Sequence, residues 1–583
     1  MALVLLLTCA AFAPCLSNGF VNWDDNLYVT DNPVIRNFSF QGLKQILTSF
    51  SVGNYQPVTL LSYLFEFRIF SLNPFGYHLV SLILHLINCL LVFWLVYLFS
   101  RRVPVALATA ALFALHPLHV ESVAWVSQRK DLLYVLFFLA SLIAYLYYLR
   151  TRRIGKFYYF ALILFFVSLL SKAMAIILPI ILLCLDDLTK RIPDKNRFKD
   201  KIPFFILSFI FGVVALIGQY SSRAIRGESL INIWAKFVNA VYSIIFYLDK
   251  ILMPVKLSCL YPRTESRFSP ALLILPVIYI AFCLGLYLLN KGRKKIVFAN
   301  AFFLISLLPV LQFVPLGEAI VADRYMYLAS IGIFYFIAEC LVWLYQNKLK
   351  PARLIRVIFL VSFICLSMIL VLLTRQRCLA WKNSVTLWND VLDKYPRAAM
   401  AYYNRAVAYN SMKDYPRAIA DFNRLTGVVS DIDRRMIYLY LVNLYRSTGQ
   451  NNLAAEAYNK VKKIDAELFR QYVESAGRYR EAGNNNQAII LYKQALELDP
   501  GNLALRNDLG ITYIYAGEFG EAAALFKKLL EDEPDSGLFY NNLALVYYYE
   551  KKYALAIEYC DRALNSGYPV SPRLLSWLKS YRR

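Results

Sequence analysis

The sequence predicts an all-α protein in which a polytopic membrane domain is followed by an α-solenoid of helix-pair repeats. The 583 residues are 59% hydrophobic with a mean hydropathy of +0.46, values typical of a chain largely embedded in lipid. After about residue 375, small and aromatic residues recur with a period of about 34, and such a period indicates stacked helix pairs.

Apolar segments of about one bilayer thickness alternate with short basic loops in the first part of the chain. Because basic loops favour the cytoplasmic side, we place them there, with the N-terminus cytoplasmic and the repeats external. This topology explains the net charge of +24 and makes a nucleic-acid partner unnecessary. The basic loops are 101–102, 150–156, 190–201, 291–295 and 348–356. The eleven or so predicted crossings are 2–16, 79–99, 103–119, 131–149, 157–171, 173–188, 202–220, 271–289, 296–314, 326–345 and 354–373.

Four segments need separate interpretation. Residues 2–16 resemble a signal-peptide core without a basic flank, so we expect an uncleaved first helix, with a longer natural start left open. Residues 17–78 form a long external loop, and 237–253 an interfacial or re-entrant helix. The loop 221–270 carries seven cations against three acids. Either long loops follow the charge rule poorly, or these cations attract lipid phosphate.

The repeats align as five tetratricopeptide units that start near 399, 435, 469, 503 and 537. Small residues recur at position 20 of each unit, where two helices approach closely. These residues are Ala418, Ala454, Ala488, Ala522 and Ala556. The repeats serve either as a scaffold or to recognise an extended peptide. The predicted domains are 1–375 (membrane), 376–398 (connecting helix), 399–570 (repeats) and 571–583 (capping helix).

Three clusters of polar residues are candidates for chemistry. The first is the acidic pair Asp24 and Asp25, just after the first crossing. Carboxylates are costly to hold ionised close to lipid, although an acidic pair beside an interfacial Trp23 is also ordinary in a solvated turn. From residue types alone, the solvated turn is the favoured interpretation.

The second cluster is a short hairpin over 115–131. It concentrates six polar residues between two crossings. Either they form a hydrogen-bonded hairpin whose charges pair with one another, or they have a function; six polar groups beside the bilayer slightly favour a function. They are His116, His119, Glu121, Arg129, Lys130 and Asp131. The two histidines have a spacing that metal ligands use, but no sulfur or acid cluster completes a zinc site. The ten scattered cysteines contain no C-x-x-C, so they predict neither a zinc site nor a disulfide framework.

The third cluster comprises Glu318, Asp323, Arg324 and Tyr325, with Asp323 expected to pair with Arg324. Lys172, in a tight turn on the same side, is expected to be a snorkelling anchor. A carboxylate and several cations on one face suit transfer to a hydroxyl from a lipid phosphate, because a base and charge stabilisation are both needed. No glycine-rich phosphate loop or G-x-S-x-G elbow occurs, which argues against nucleotide-driven and serine-hydrolase chemistry.

The motifs FVNWDDNLYVTDNPVI, YQPVTLLSYLFE, LHPLHVESVAWVSQRKDLL and ADRYMYLAS occur in this order before the repeats. In them the chain resembles the transmembrane and tetratricopeptide-repeat protein O-mannosyltransferases and their bacterial relatives, of the type C glycosyltransferase superfamily. The resemblance implies a multi-pass membrane enzyme, in bacteria of the inner membrane. It implies a polyprenyl-phosphate sugar as donor, carrying mannose or another hexose, and a Ser or Thr hydroxyl of a protein as acceptor.

Carried over to this sequence, the resemblance makes Asp24 or Asp25 the general base of an inverting transfer. Arg129, Lys130 and Arg324 would face the donor phosphate, and His116, His119 and Glu121 would shape the site. The acceptor could be held by the repeats. The resemblance implies no certain cofactor beyond the lipid-linked donor and leaves the use of a divalent metal open. The alternative function is a non-catalytic membrane-anchored scaffold that assembles envelope proteins. A transporter is disfavoured, since matching halves with Gly- or Pro-broken spans are missing from the sequence.

Overall fold

The computed structural model describes residues 1–151, 154–189, 198–221, 233–262, 294–311, 320–348 and 353–582. These residues form two compact units, Met1–Asp414 and Tyr415–Arg583. Helices dominate both, and the only strand-like pairing among the described residues is an isolated bridge between Ser51 and Asn54. The predicted all-α class is confirmed. The finer domain boundaries stay predictions.

The first unit contains helices that correspond to ten of the eleven predicted crossings, together with segments that join them. In chain order they are α1 (Ala2–Phe12), α2 (Phe40–Thr48), α3 (Pro57–Phe70), α4 (Pro74–Ser100), α5 (Val103–Leu115), α6 (Val120–Ala124), α7 (Arg129–Thr151), α8 (Lys156–Ser171), α9 (Leu178–Thr189), α10 (Ile202–Ser221), α11 (Ile233–Leu252), α12 (Lys294–Leu307), α13 (Met326–Trp343), α14 (Arg353–Ala380), α15 (Ser384–Lys394) and α16 (Ala399–Ser411).

Five helical segments among the described residues are long and apolar enough to cross a membrane. They are Pro74–Ser100, Val126–Thr151, Lys199–Tyr220, Asp323–Gln346 and Leu354–Ala380. A sixth candidate is α5 with the following Pro117–Ala124, bent by 54°. Ala2–Ser17 and Lys156–Ser171 are apolar but shorter. The membrane character of the chain is therefore supported, and the count of eleven crossings stays a prediction.

Some predictions fall outside the described residues. They include the crossing 271–289, Glu318, and Arg223, Arg226, Arg263 and Arg267 of the cationic loop. The segment predicted to be interfacial lies in α11, which has 20 residues and does not belong to the five long apolar segments.

The bend after α5 brings the second polar cluster inside the first unit. Pro117 has no N–H to continue the helix, and His116 before it takes an extended conformation with ψ of 130°. The chain then forms a 3-10 turn and the short α6 before α7 begins at Arg129. All residues from 109 to 135 are buried, so polar side chains in this stretch need partners within the protein.

The second unit continues the helical hairpins of the repeats. Its helices are α17 (Tyr415–Leu425), α18 (Asp431–Ser447), α19 (Asn451–Glu481), α20 (Asn485–Leu498), α21 (Leu503–Ala516), α22 (Phe519–Asp532), α23 (Gly537–Tyr549), α24 (Tyr553–Asn565) and α25 (Pro572–Lys579). The predicted break between the second and third repeats is missing, since α19 runs through it over 31 residues. No Pro or Gly lies near Ala466, whereas Pro500 and Pro534 follow α20 and α22.

Small residues form the contacts between the repeat helices, as predicted from their spacing. Ala488, Ala522 and Ala556 are fully buried. A Cβ at Gly510 would lie only 2.5 Å from the Phe526 ring, so a side chain there would collide with it. Close helix packing through these positions is what lets a thin solenoid bury a continuous core.

Candidate active site

Asp25 joins the loop after the first helix to the turn before α7, which lies in the hairpin of the second cluster. Its Oδ1 accepts hydrogen bonds from the backbone N–H of Ser127 at 2.9 Å and from the Ser127 hydroxyl at 2.5 Å. Its Oδ2 accepts from the N–H of Val21 at 2.9 Å. Burial raises the pKa of Asp25 to about 7, although these hydrogen bonds lower it. Both oxygens are thus occupied, so Asp25 is well placed to hold two segments together.

Asp24 has a different environment from its neighbour. It is half-buried, and its φ of 69° is a left-handed conformation that few non-glycine residues adopt. Its carbonyl accepts from the N–H groups of Leu27 and Tyr28, and the described residues give its carboxylate no hydrogen-bond partner. Such backbone strain often accompanies a functional position. Of the two predicted acids, Asp24 is the one whose carboxylate is accessible.

Two tryptophan rings connect this loop to Arg324. The Trp125 indole N–H donates to the carbonyl of Trp23 at 2.6 Å, and the two rings stack with centroids 6.1 Å apart. The Arg324 guanidinium lies over the Trp125 ring at 5.5 Å. Trp125 of the hairpin therefore contacts both Arg324 and the loop that carries the acidic pair.

Arg324 pairs with Glu121 rather than with the expected Asp323. Its guanidinium lies 2.6 Å from Glu121 Oε1, and its backbone N–H donates to Glu121 Oε2 at 2.9 Å. Asp323 instead accepts from the Tyr261 hydroxyl at 2.7 Å. The Arg324 side chain keeps 15% of its surface exposed, so it can still face a ligand.

His116 and His119 support the bend between α5 and α6. Nε2 of His116 lies 3.1 Å from the carbonyl of Ile251 in α11, and its Nδ1 accepts from a backbone N–H within the turn. His119 contacts the Phe113 carbonyl at 2.7 Å and the Ser330 hydroxyl of α13 at 3.0 Å. All four ring nitrogens therefore have partners within the protein. Both imidazoles are buried, and their hydrogen bonds hold the bend in place.

Arg129 does not lie where a donor phosphate could reach it. Its side chain is fully buried and forms an ion pair with Glu66 of α3. The same guanidinium donates to the Ser62 hydroxyl at 3.0 Å and to the Tyr77 carbonyl at 2.6 Å. These partners argue against the role implied by the resemblance, because every outward direction is closed. Glu66 was missed as a partner, although it is the lone acid in an apolar segment.

Lys130 and Arg324 are close enough to Lys172 for their charges to act on it, and we call these three residues the cation cluster. Lys172 forms an ion pair with Asp131 at 2.5 Å. Burial lowers the pKa of Lys172, Asp131 raises it, and the nearby Lys130 and Arg324 lower it further. Lys130 lies 4.6 Å above the Tyr28 ring. The predicted snorkelling role of Lys172 is wrong, since its ammonium is paired with Asp131 within the protein.

No group of three His, Cys, Asp or Glu side chains that could hold a metal ion occurs within the described ranges. The cation cluster supplies positive charge at the place where the acidic loop and the hairpin meet. A half-buried carboxylate at Asp24 is suited to accept a proton, and the partly exposed Lys172 and Arg324 are suited to stabilise a phosphate.

These features define a class of protein: a helical membrane protein with a polar site next to its spans and a tetratricopeptide solenoid at its C-terminal end. Family models of the tetratricopeptide repeat match residues 381–431, 479–546 and 539–566. The solved tetratricopeptide protein YrrB, 19% identical, covers 33% of this chain and 97% of its own, but its TM-score of 0.19 supports no argument about fold.

Curated relatives of this chain are named protein O-mannosyl-transferases. Protein O-mannosyl-transferase F38B6.6 of Caenorhabditis elegans is 25% identical, over 69% of this chain and 59% of its own. Human protein O-mannosyl-transferase TMTC3 is 23% identical, over 70% of this chain and 48% of its own. The resemblance to the transmembrane and tetratricopeptide-repeat O-mannosyltransferases is thereby confirmed. The chain spans only about half the length of these relatives.

Proposed function

We propose that this protein is an integral-membrane glycosyltransferase that moves a sugar from a polyprenyl-phosphate donor to a Ser or Thr hydroxyl of a protein. Mannose or another hexose is the proposed sugar. The observation that carries the proposal is the accessible Asp24 carboxylate, held in a left-handed conformation beside the aromatic contact to Arg324. The names of the curated relatives support the reaction class.

In the proposed reaction, the acceptor oxygen attacks the anomeric carbon of the sugar and its proton passes to Asp24. The bond from that carbon to the phosphate oxygen breaks, and polyprenyl phosphate leaves with the electron pair. Because one carboxylate serves as base and no sugar–enzyme bond forms, the anomeric configuration inverts. Asp25 is a positioning residue, since its hydrogen bonds to Val21 and Ser127 fix the backbone next to Asp24.

The leaving phosphate gains negative charge as the bond breaks, and we assign its stabilisation to the cation cluster. Cations placed beforehand in a site shielded from water stabilise such charge more strongly than solvent does. Lys130 and Lys172 are close enough to Arg324 to affect one another, and Glu121 and Asp131 neutralise only part of their charge. Arg129 is left out of this assignment because its side chain is fully buried, whereas those of Lys172 and Arg324 are partly exposed.

We further propose a multi-pass topology in a bacterial inner membrane, with the N-terminus in the cytoplasm and the repeats in the periplasm. The concentration of Lys and Arg in short loops supports this orientation. The tetratricopeptide repeats suit the binding of an acceptor polypeptide, which is how the transfer would be directed to protein.

The test compares Asp24→Asn with Asp25→Asn in full-length protein reconstituted with a panel of polyprenyl-phosphate sugars and Ser/Thr peptides. We expect Asp24→Asn to lose at least a hundredfold in kcat while its thermal stability stays unchanged, because general-base groups contribute about 10² to 10⁴. Asp25→Asn is the matched control, and its main effect should be a loss of thermal stability, because Asp25 accepts hydrogen bonds from Val21 and Ser127. Equal transfer by Asp24→Asn and wild type would overturn the assignment. If wild type consumes no donor from the panel but retains envelope proteins, the scaffold alternative is favoured.

A further inference from the structure

A small cavity lies at the far ends of α4, α7 and α9 from the candidate active site. Its volume is about 180 Å³, on the order of six water molecules at about 30 Å³ each. Arg101, Arg150 and Thr189 provide its polar lining. This is room for a phosphate diester rather than for a whole lipid.

The two arginines have no carboxylate partner in the part of the chain that the structure describes. Arg101 follows α4 in a left-handed conformation and is exposed, and Arg150 lies over the Tyr147 ring at 5.0 Å. Nearby acids are engaged by other cations. Glu339 pairs with Arg102 at 2.9 Å, and Asp186 pairs with Lys201.

The remaining walls of the cavity are apolar. They come from Leu98, Phe99, Leu146 and Leu188. Outside it, Trp94 and Tyr147 meet at 6.1 Å in the manner of an interfacial aromatic belt. Apolar side chains together with a pair of cations match an amphipathic ligand, because acyl chains and a charged headgroup can be satisfied together.

The cavity and the candidate active site lie at opposite ends of α7. From Arg129 to Arg150, α7 rises about 30 Å, at about 1.5 Å per residue, and the hydrocarbon core is about 30 Å thick. The cavity therefore lies one bilayer away from the Arg129 end of α7. A ligand bound there is not the sugar donor at the candidate active site.

We propose that this cavity binds the headgroup phosphate of an anionic phospholipid, with Arg101 and Arg150 as its ligands. Guanidinium groups match phosphate oxygens in a fixed planar geometry, and basic pockets between spans are suited to acidic headgroups. Bound lipid would stabilise the protein in membranes rich in acidic lipid. The group recognised is a phosphate, and the lipid that carries it comes from the bilayer.

The test measures phosphatidylglycerol and phosphatidylcholine binding to the full-length protein by native mass spectrometry in detergent. We expect wild type to prefer phosphatidylglycerol, and Arg101→Gln/Arg150→Gln to lose about 30-fold in apparent affinity for it. Lys44→Gln/Arg68→Gln removes two exposed cations elsewhere and should keep the preference. Arg101→Lys/Arg150→Lys should retain most of the preference for phosphatidylglycerol, because charge is kept.

Three results would overturn the proposal. One is an unchanged preference for phosphatidylglycerol in the Gln double variant. Another is an equal loss in the Lys44→Gln/Arg68→Gln control, which would indicate a general charge effect. The third is that inorganic phosphate at millimolar concentration displaces the lipid completely, which would make free phosphate the ligand. If the double variant does not fold, Arg150→Gln alone decides the question in the same assay, with a smaller expected loss.

Discussion

The buried ion pair of Arg129 and Glu66 gives a quantitative prediction, because both side chains are almost fully shielded from water. Removing one partner leaves the other as an uncompensated buried charge, which typically costs about 3–5 kcal/mol. We therefore expect Arg129→Met and Glu66→Leu each to lower the free energy of unfolding by that amount. Burial already raises the pKa of Glu66, so the carboxylate depends on its cation to remain ionised.

The double variant Glu66→Leu/Arg129→Met should recover most of this loss. Apolar side chains of similar volume replace a buried pair at little net cost, and the hydroxyls of Ser62 and Ser81 can turn to carbonyls of their own helices. We expect its free energy of unfolding to lie within about 1 kcal/mol of wild type. Unfolding by SDS titration in mixed micelles measures all four proteins under one condition.

The same four proteins separate a structural role of Arg129 from a role in donor binding. A folded double variant should keep its KM for the lipid-linked donor, because Arg129 is enclosed by protein. A double variant as unstable as the single ones would refute the energetic argument. A stable double variant with a KM raised tenfold or more would instead return Arg129 to the phosphate site.

Two further predictions follow from other parts of the chain. Because burial raises the pKa of Asp25 from 3.8 to about 7, the folded protein retains a proton that the unfolded chain releases. The free energy of unfolding should fall as pH rises from about 4 through 7, by at most about 4 kcal/mol, and Asp25→Asn should flatten this decline; an unchanged slope in that variant would contradict the assignment. Gly510→Ala should destabilise the repeats by about 1–3 kcal/mol through the Phe526 ring, measured by thermal unfolding. Gly520→Ala, which meets nothing within 4 Å, should be neutral or stabilising, so equal losses would refute the packing argument.

The sequence is sufficient to predict what depends on local pattern. Hydropathy locates helices such as α4 and α14, and the repeat spacing locates the buried alanines. The meeting of the acidic pair, the hairpin and Arg324 also follows, since the motifs that contain them predict one shared site. The backbone supplies the distinction between Asp24 and Asp25, which no residue type reveals.

Pairing between distant segments is what the sequence leaves undetermined. Arg324 has Asp323 beside it in the chain, yet Glu121 is its partner because the two side chains of a 3-10 turn point in different directions. Arg129 likewise finds Glu66 across 63 positions. Lys172 could be assigned to the cation cluster only once Asp131 and Arg324 were located in space.

The unbroken α19 has a mechanical consequence for the repeats. A shared rod of 31 residues, about 46 Å at about 1.5 Å per residue, couples the hairpins on either side of it. Melting one of those hairpins must fray the backbone ladder of the other, so the middle of the array behaves as a single cooperative element rather than as two links of a chain. A truncation that ends near Ala466 would therefore cut through this shared helix, whereas one after Pro500 would leave the hairpin of α19 and α20 complete.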